Sequence, residues 1–344
     1  ELEAVNCVLE GKGDWNTKAI AMSGQSFVET ITLIKIMIQN FHLFFDLKGM
    51  ESQINHLKRL TIASSNVFMV PCELAKHFSS LQYLDFHDNL LVNNRLDETI
   101  CNGSWPSLQT LNLSQNSLKS LEKTANFTSR LPKLNNLDIS QNNFRGIPDA
   151  CEWPKTLKYL NLSSTQIPKV TGCIPATLEV LDVSANNLKE FRLQLPNLKE
   201  LYLTRNQLKT LPGAMPIPNL VALSVRRNKL NSFSKEEFES FKRLELLDAS
   251  DNNFICSCEF LSFIHHEAGI GRVLVGWPDK YVCDSPLAVR GAQVGAVRLS
   301  LMECHRSLVV SLVCVLVFLA ILLLVALGYK YHVVWYLRMT WAWL

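Results

Sequence analysis

Four cysteines in the C-terminal third carry the clearest chemistry in this sequence. They are spaced as Cys256-x-Cys258, with Cys283 and Cys304 further along the chain. Four thiolates can bind zinc, but zinc sites usually separate paired cysteines by about two to four residues. A single residue separates Cys256 from Cys258, and no second close pair follows. The spacing therefore favours two disulfides that staple a small cap, and we predict no metal site.

Four more cysteines lie in adjacent copies of a sequence repeat, which is described below. Cys151 and Cys173 are at nearly equivalent positions of their copies, and such positions lie about one strand spacing apart, which suits a disulfide. Cys72 and Cys101 are at less equivalent positions, but the second of their copies is long enough for the two to meet. We expect Cys72–Cys101 and Cys151–Cys173 bridges, and we expect Cys7 to be buried and reduced. Ten cysteines in all are typical of an exported chain.

Motifs for catalysis and for nucleic-acid binding are missing from the sequence. His265-His266-Glu267 does not have the H-E-x-x-H spacing of a zinc protease, and no Gly-rich phosphate loop or nucleophile motif occurs. The formal net charge of +3 is too small to indicate a nucleic-acid partner. We therefore predict no enzymatic activity, no cofactor and no nucleic-acid partner. Ser234 and Glu237 have the spacing of a helix capping box, which is a structural role.

Four N-x-S/T sequons mark candidate glycosylation sites. They begin at Asn102, Asn112, Asn126 and Asn161. Each is a weak signal by itself, but together with the cysteines they favour an exported chain. Asn112 and Asn161 fall on predicted strands that face the concave side of the repeat. Glycans there would obstruct that side as a protein-docking surface.

The element that positions these residues is a leucine repeat. The pattern L-x-x-L-x-L-x-x-N-x-L recurs with successive copies 20 to 27 residues apart, beginning at Ile31, Leu57, Leu81, Leu108, Leu134, Leu157, Leu178, Leu198, Leu220 and Leu244. That period is typical of leucine-rich repeats. One copy cannot bury its apolar edge alone, so stacked copies share a continuous core. We predict an α/β solenoid, a leucine-rich repeat horseshoe whose parallel strands line the concave side.

Asparagine at the ninth position of the repeat has a structural role. Its side chain can hydrogen-bond loop backbone groups that the short strands leave unpaired. Seven copies carry it, as Asn89, Asn116, Asn142, Asn186, Asn206, Asn228 and Asn252. Gln39, Ser65 and Thr165 replace it in three copies.

Two neighbouring copies carry more apolar side chains than the interior of the solenoid needs. Inward positions are already supplied by Phe41, Phe44, Val67 and Val70. The surplus apolar residues are Leu43, Phe45, Leu47, Phe68 and Met69, and Leu90 and Val92 continue the trend in the next copy. Three interpretations stay open from these residues: a pocket for acyl chains, a partner-docking patch, or a thick irregular core under a long loop.

One segment has the length and composition of a transmembrane helix. Ser307 to Leu327 contains no charged residue, and its 21 residues span about 31 Å as a helix, close to the hydrocarbon thickness of a bilayer. Lys330, Arg338 and several Tyr and Trp residues follow, which is typical of a cytoplasmic flank. We predict repeats over 1–254, a cysteine-rich cap over 255–305, a transmembrane helix over 306–328 and a cytoplasmic juxtamembrane segment over 329–344.

Several stretches are distinctive beyond the repeat pattern itself. They are FHLFFD at 41–46, VFMVPC at 67–72, WPSLQTL at 105–111, YLNLSST at 159–165, NNFICSCEFL at 252–261 and WY at 335–336. In these stretches the chain resembles the Toll-like receptor family, and the likeness runs through nearly all of its length. We expect a fragment that holds the C-terminal part of a receptor ectodomain and its transmembrane helix, with the natural chain extending beyond both ends.

The resemblance implies a function. Toll-like receptors of the type that this chain resembles sense bacterial lipoproteins and lipopeptides, whose acyl chains enter a lateral pocket of the solenoid. The matching positions here are Phe41, Leu43, Phe44, Phe45, Leu47, Val67, Phe68, Met69 and Pro71. The implied partners are a bacterial lipopeptide, a co-receptor of the Toll-like receptor 1 or 6 type, and the lipid bilayer. Cytoplasmic adaptors would bind only through a Toll/interleukin-1 receptor domain, which this stretch of sequence lacks.

The resemblance also implies a location, the plasma membrane, with a single-pass type I topology and an extracellular ectodomain. A second function remains to be weighed against lipopeptide recognition. A leucine-rich repeat receptor can bind other proteins through its concave face, as an adhesion or scaffold protein does. Glycans at the concave-face sequons would discriminate between the two functions, because they would obstruct the second one.

Overall fold

The structure of this protein is a computed structural model, which describes residues 1–9, 28–38, 54–144, 146–267, 269–330 and 333–342. Short strands recur along the repeats, and two more lie in the cap. They are β1 (Leu2–Val5), β2 (Val8–Leu9), β3 (Thr30–Ile34), β4 (Met37–Ile38), β5 (Arg59–Ala63), β6 (Tyr83–Asp85), β7 (Thr110–Asn112), β8 (Asn136–Asp138), β9 (Tyr159–Asn161), β10 (Val180–Asp182), β11 (Glu200–Tyr202), β12 (Ala222–Ser224), β13 (Leu246–Asp248), β14 (Phe254–Ile255) and β15 (Cys283–Ser285).

Eleven of these strands form one parallel sheet in the order β1-β3-β5 and then β6 to β13 in sequence. The register aligns one buried leucine per strand from β5 onward, in the column Leu60, Leu84, Leu111, Leu137, Leu160, Leu181, Leu201, Leu223 and Leu247. Because side chains alternate across a strand, the residues on either side of each leucine face the open side of the sheet. The predicted leucine-rich repeat solenoid with a parallel sheet is confirmed.

The repeat asparagines tie each turn to the one before it. Asn142 shows the arrangement: its Oδ1 accepts the backbone N–H of Leu118 at 3.0 Å, and its Nδ2 donates to the carbonyls of Leu113 at 2.9 Å and Ile139 at 3.1 Å. Equivalent bonds are made by Asn89, Asn116, Asn186, Asn206, Asn228 and Asn252. The predicted role of the ninth position is confirmed. Where Ser65 replaces asparagine, its Oγ still accepts the N–H of Ile36 at 3.0 Å.

Each turn leaves its strand through a residue in the left-handed backbone region. These residues are Asp88, Gln115, Gln141, Ser164, Ala185, Arg205, Arg227 and Asp251, with φ between 52° and 56°. None of them is glycine, although a side chain in this region costs roughly 1 kcal/mol or more per residue. The cost is tolerated because the neighbouring asparagine and the next turn hold the backbone in place.

Short helices lie on the side of the solenoid away from the sheet. They are α1 (Cys72–His77), α2 (Asn93–Thr99), α3 (Leu121–Thr128) and α4 (Lys235–Ser240). Ser234 and Glu237 form the predicted capping box at the start of α4, in which each side chain bonds the other residue's backbone N–H. Buried Asn93 joins α2 to α3, because its Oδ1 accepts the N–H groups of Lys119 and Ser120.

A cap follows the last repeat, built from α5 (Cys258–His266), α6 (Ile270–Val273), a 3₁₀ turn (Leu287–Val289) and the paired strands β14 and β15. Disulfides join Cys256 to Cys283 and Cys258 to Cys304. The aromatic rings of Phe233, Phe254 and Phe260 pack on one another and continue the core of the solenoid into the cap. The predicted disulfide-stapled cap is confirmed.

The chain continues into α7 (Leu301–Cys304), α8 (Arg306–Lys330) and α9 (Val333–Ala342). Within α8, Leu308 to Lys330 is long and apolar enough to cross a membrane, and none of its most apolar stretch is buried against the rest of the protein. A soluble core helix with this composition would be covered by protein, so the exposure of α8 favours a membrane-spanning helix.

Cys7 departs from the sequence-based expectation. It was predicted to be buried, but its side chain is exposed; it forms no disulfide, and its thiol donates to the Val5 carbonyl at 3.3 Å. The reason is its place in the fold: β1 is the edge strand of the sheet, so no described turn covers that side of it. The prediction of a buried Cys7 is therefore wrong.

Candidate functional site

The segment between β5 and α1, residues 67–71, forms an apolar wall on the side of the solenoid. Val67 and Val70 point into the core and are only 5% and 9% exposed. Phe68, Met69 and Pro71 are half-buried. The apolar wall therefore has two layers, an inner one that completes the core and an outer one that keeps part of its apolar surface accessible.

The start of the apolar wall is fastened to the turn that follows it. The Val67 backbone N–H donates to Oδ1 of Asn89 at 2.9 Å. The Leu90 N–H donates to the Val67 carbonyl at 2.8 Å. Both bonds join the wall to the turn that follows it in the chain, and that turn holds the wall in position.

The end of the apolar wall is fastened in the same direction. The Val70 backbone N–H donates to Oγ1 of buried Thr99 at 3.0 Å. Cys72, directly after the wall, forms a disulfide with Cys101, and their Cα atoms are 5.9 Å apart. Hydrogen bonds and a covalent link thus fix both ends of the wall.

The turn beside the wall adds exposed apolar surface. Leu91 is fully buried, but its neighbours Leu90 and Val92 are 52% and 37% exposed. Because Leu90 is hydrogen-bonded to Val67, this surface adjoins the wall. Large apolar side chains exposed next to one another are typical of a binding surface and not of a solvated loop.

The sequence-predicted pocket residues divide into two groups. Val67, Phe68, Met69 and Pro71 are the wall just described. The remaining five, Phe41, Leu43, Phe44, Phe45 and Leu47, lie outside the described residues. The structure therefore describes four of the nine predicted residues, and the pocket itself stays a prediction.

The sequence analysis missed Thr99 as part of this site. Its hydroxyl is the acceptor for the Val70 N–H, and it also donates to the Arg95 carbonyl at 3.3 Å. A single threonine in a helix gives no periodic signal, because its role depends on a residue 29 positions earlier in the chain. Only the stacking of the two turns makes this contact visible.

The other cysteine pair and the sequons take clear positions. Cys151 and Cys173 form a disulfide, and the indole N–H of Trp153 donates to the Cys173 carbonyl at 2.6 Å. Asn102 and Asn126 are exposed, whereas Asn112 and Asn161 are half-buried at the ends of β7 and β9. Those two occupy the open face of the sheet, next to the buried leucine column.

His265 lies at the end of α5 against Arg298. An Arg298 guanidinium nitrogen is 2.5 Å from Nε2 of the imidazole, and the Val294 carbonyl is 3.3 Å from the same atom. Burial, followed by repulsion from Arg298, lowers the pKa of His265. Within the part of the chain that the structure describes, no group of three His, Cys, Asp or Glu residues is arranged to hold a metal ion.

The family profile described as "Leucine rich repeat" matches residues 106–167 and 196–254. The crystal structure of the mouse RP105/MD-1 complex superposes with a TM-score of 0.62 at 18% identity, over 80% of this chain and 49% of that one. At that identity the likeness shows the fold alone.

Curated sequences give a stronger similarity. The chain is 74% identical over 344 residues to chicken "Toll-like receptor 2 type-1" (Gallus gallus), covering 100% of this chain and 43% of the relative. It is 64% identical to chicken "Toll-like receptor 2 type-2" over the same 344 residues. It is 50% identical over 347 residues to human "Toll-like receptor 2" (Homo sapiens), covering 44% of that protein. The chain thus spans less than half the length of the curated relatives that it matches.

Proposed function

Because this chain belongs to the Toll-like receptor family, we propose that it is part of an innate immune receptor that recognises bacterial lipoproteins and lipopeptides. The identity to relatives named Toll-like receptor 2 runs through the whole chain and supports this function. No catalytic step belongs to the proposal, because recognition needs only a binding surface and a partner.

The ligand site is a lateral pocket that takes acyl chains. Its residues are Phe41, Leu43, Phe44, Phe45, Leu47, Val67, Phe68, Met69 and Pro71. The observation that carries this proposal is the outer layer of the apolar wall, where Phe68 and Met69 stay half-buried although Val67 and Val70 already fill the core. Burial of each methylene contributes about 0.8 kcal/mol, so a fatty tail of several methylenes binds without any charged contact.

A related receptor of the Toll-like receptor 1 or 6 type is the proposed partner, docked beside the pocket. Exposed Leu90 and Val92, next to the apolar wall, supply apolar surface for such a contact. Signalling then belongs to the whole receptor, through a cytoplasmic Toll/interleukin-1 receptor domain that recruits adaptors.

The proposed location is the plasma membrane, with α8 as the single membrane-spanning helix. The disulfides of the cap form in oxidising compartments, which supports an extracellular location for the residues before α8. Lys330 and Arg338 follow the span and agree with a cytoplasmic side.

N-linked glycans are proposed at Asn102, Asn112, Asn126 and Asn161. Glycans on Asn112 and Asn161 would occupy the open face of the sheet, where they oppose the alternative function of protein adhesion through that face. Mass-spectrometric mapping of deglycosylated peptides from the secreted or surface-expressed chain tests this. If Asn112 and Asn161 are both unmodified, the concave face is open to bind proteins, and the result supports the alternative function of protein adhesion.

Lipopeptide binding is tested with Phe68→Asp. The chain is reconstituted in nanodiscs, and binding of a diacylated and a triacylated lipopeptide is measured with the signal from empty nanodiscs subtracted. A charge in the outer layer of the wall should weaken binding at least about tenfold, because an apolar contact is replaced by a group that must be desolvated.

Met215→Asp is the matched control. Met215 is 92% exposed in a loop away from the wall, so the same charge there should leave binding unchanged. Equal unfolding midpoints of both variants and the parent chain establish that the fold is intact. Unchanged lipopeptide binding by folded Phe68→Asp would reject the apolar wall as the ligand site.

A further inference from the structure

A groove of about 460 Å³ lies on the flank where the chain enters strands β10 to β13. It is far from the apolar wall in sequence, and polar and charged side chains line it beside the apolar Val221. Its polar lining comes from successive turns of the solenoid, namely Thr177, Glu179, Asn197, Lys199, Asn219 and Arg243. We call it the entry groove.

Positive charge is in excess along the entry groove. Lys158 and Lys199 share one carboxylate, Glu179, at 2.8 Å and 2.6 Å. Hydrogen bonds from these two lysines lower the pKa of Glu179 to about 2, so the carboxylate stays charged at neutral pH. At the far end, exposed Arg243 forms no ion pair with any described residue. Exposed Glu245 lies outside the lining of the groove.

Between the cations, the entry groove presents hydrogen-bond acceptors. The Asn197 side-chain amide donates to the Ala176 carbonyl at 3.2 Å, and that of Asn219 donates to the Pro196 carbonyl at 2.7 Å. The Thr177 hydroxyl likewise donates to a backbone carbonyl, that of Leu157, at 2.8 Å. The oxygens of these three side chains remain able to accept from a ligand.

This arrangement repeats along a line. Thr177, Asn197 and Asn219 occupy equivalent places in three successive turns, and stacked strands are about 4.8 Å apart. A linear polymer with a regular repeat fits such a row better than a compact ligand does. Acceptors suit the hydroxyl groups of a sugar, and Lys and Arg suit sulfate or carboxylate groups.

We propose that the entry groove binds a sulfated polysaccharide, with Lys199 and Arg243 contacting sulfate groups and the two asparagines contacting hydroxyls. Binding there is independent of the apolar wall, because the two sites share no residue. The interaction is electrostatic and exposed, so it weakens as salt is raised.

The test uses the whole chain in nanodiscs and a heparin-derived hexasaccharide, measured by isothermal titration calorimetry at low and physiological salt. The double variant Lys199→Gln, Arg243→Gln should weaken binding at least about tenfold. Lys209→Gln removes an exposed lysine outside the groove and serves as the matched control, with binding unchanged. Lipopeptide binding should be the same in all three chains.

A second variant is expected to act in the opposite direction. Glu179→Gln removes the carboxylate that neutralises Lys158 and Lys199, so the hexasaccharide should bind several-fold more tightly. Three results overturn the proposal: equal affinity of the double variant and the Lys209→Gln control, equal affinity for a desulfated hexasaccharide, or equally tight binding of an acidic peptide. The last result would assign the groove to a protein partner.

Discussion

Val70 donates its backbone N–H to the hydroxyl of Thr99 at 3.0 Å, and the bond joins two neighbouring turns of the solenoid. Both residues are buried, so no water can replace this bond. The bond fixes the end of the apolar wall from the following turn, while the Cys72–Cys101 disulfide fixes the next residues. The positions of Phe68 and Met69 thus depend on the side chain of Thr99, which lies in a different turn of the solenoid.

Thr99→Val tests that dependence. The substitution keeps the shape but leaves the Val70 N–H without an acceptor, which should cost about 1–3 kcal/mol of the free energy of unfolding. Amide hydrogen exchange at Val70 should accelerate about tenfold or more. Thr99→Ser keeps the hydroxyl and should preserve the slow exchange. If Val70 exchanges equally slowly in Thr99→Val, the hydroxyl does not anchor the wall.

Asn186 and Asn187 offer a second comparison of adjacent residues. Asn186 is buried, and its side chain accepts N–H groups of Thr165 and Ile167 and donates to the Leu162 carbonyl. Asn186→Ala should destabilise the chain by about 3 kcal/mol or more, because several buried backbone groups lose their partner. Exposed Asn187→Ala should change stability by less than about 0.5 kcal/mol. Denaturant unfolding measures both free energies of unfolding. Similar losses of stability in the two variants would contradict the structural role of the buried repeat asparagines.

A substitution at Ala185 tests whether the left-handed backbone position of the turn is strained. Its φ of 52° is unfavourable for any residue with a Cβ, and its methyl group contributes little. Ala185→Gly should therefore raise the free energy of unfolding by about 0.5–1 kcal/mol, after the greater flexibility of unfolded glycine is included. The same change at Ala125, inside α3, should lower it by about 1 kcal/mol or more. Destabilisation at both positions would show that the turn is not strained.

The lowered pKa of His265 predicts that the cap becomes less stable in acid. Its pKa is lowered in the folded chain by burial and by Arg298, so the unfolded chain binds a proton first as the pH falls. Folding stability should be constant above the ordinary histidine pKa, about 6.5, and should decrease below it. Arg298 is the charged group beside the ring, and His266 is the next residue on α5. Hydrogen exchange of residues 294–298 at pH 7.5 and 5.5 measures the effect.

His265→Gln should remove most of the acid-dependent increase in exchange at residues 294–298. His266→Gln keeps the partly buried His265 imidazole and should retain that increase. The same acid dependence in His265→Gln as in the parent chain would assign it to another group.

Most of the fold was predictable from local patterns. The leucine column and the asparagine ladder repeat at short intervals, and the burial that they produce is nearly the same in every turn. The capping box of α4 involves residues three positions apart and needs no knowledge of the tertiary structure. The prediction that Cys7 is buried was wrong, because the burial of this residue depends on the neighbouring turn and not on its own repeat.

The candidate sites were less predictable. The surplus of apolar residues at Phe68 and Met69 was visible in the sequence, but the anchor at Thr99 was not. The entry groove was also missed, since its residues lie about 20 positions apart and have no shared type. Each of these sites is formed between turns, where the sequence pattern describes only one turn at a time.

The sequence by itself determined the period, the buried leucine of each strand, the cysteine-rich cap and the apolar span, because each of these follows from residues close together in the chain. The tertiary structure decided which turns touch, and so which hydroxyl meets Val70 and which two lysines share Glu179. The physical reason is that stacking converts a separation of some 20 to 30 residues into hydrogen-bonding distance. Side chains that act across that gap carry no signal until the turns are in contact.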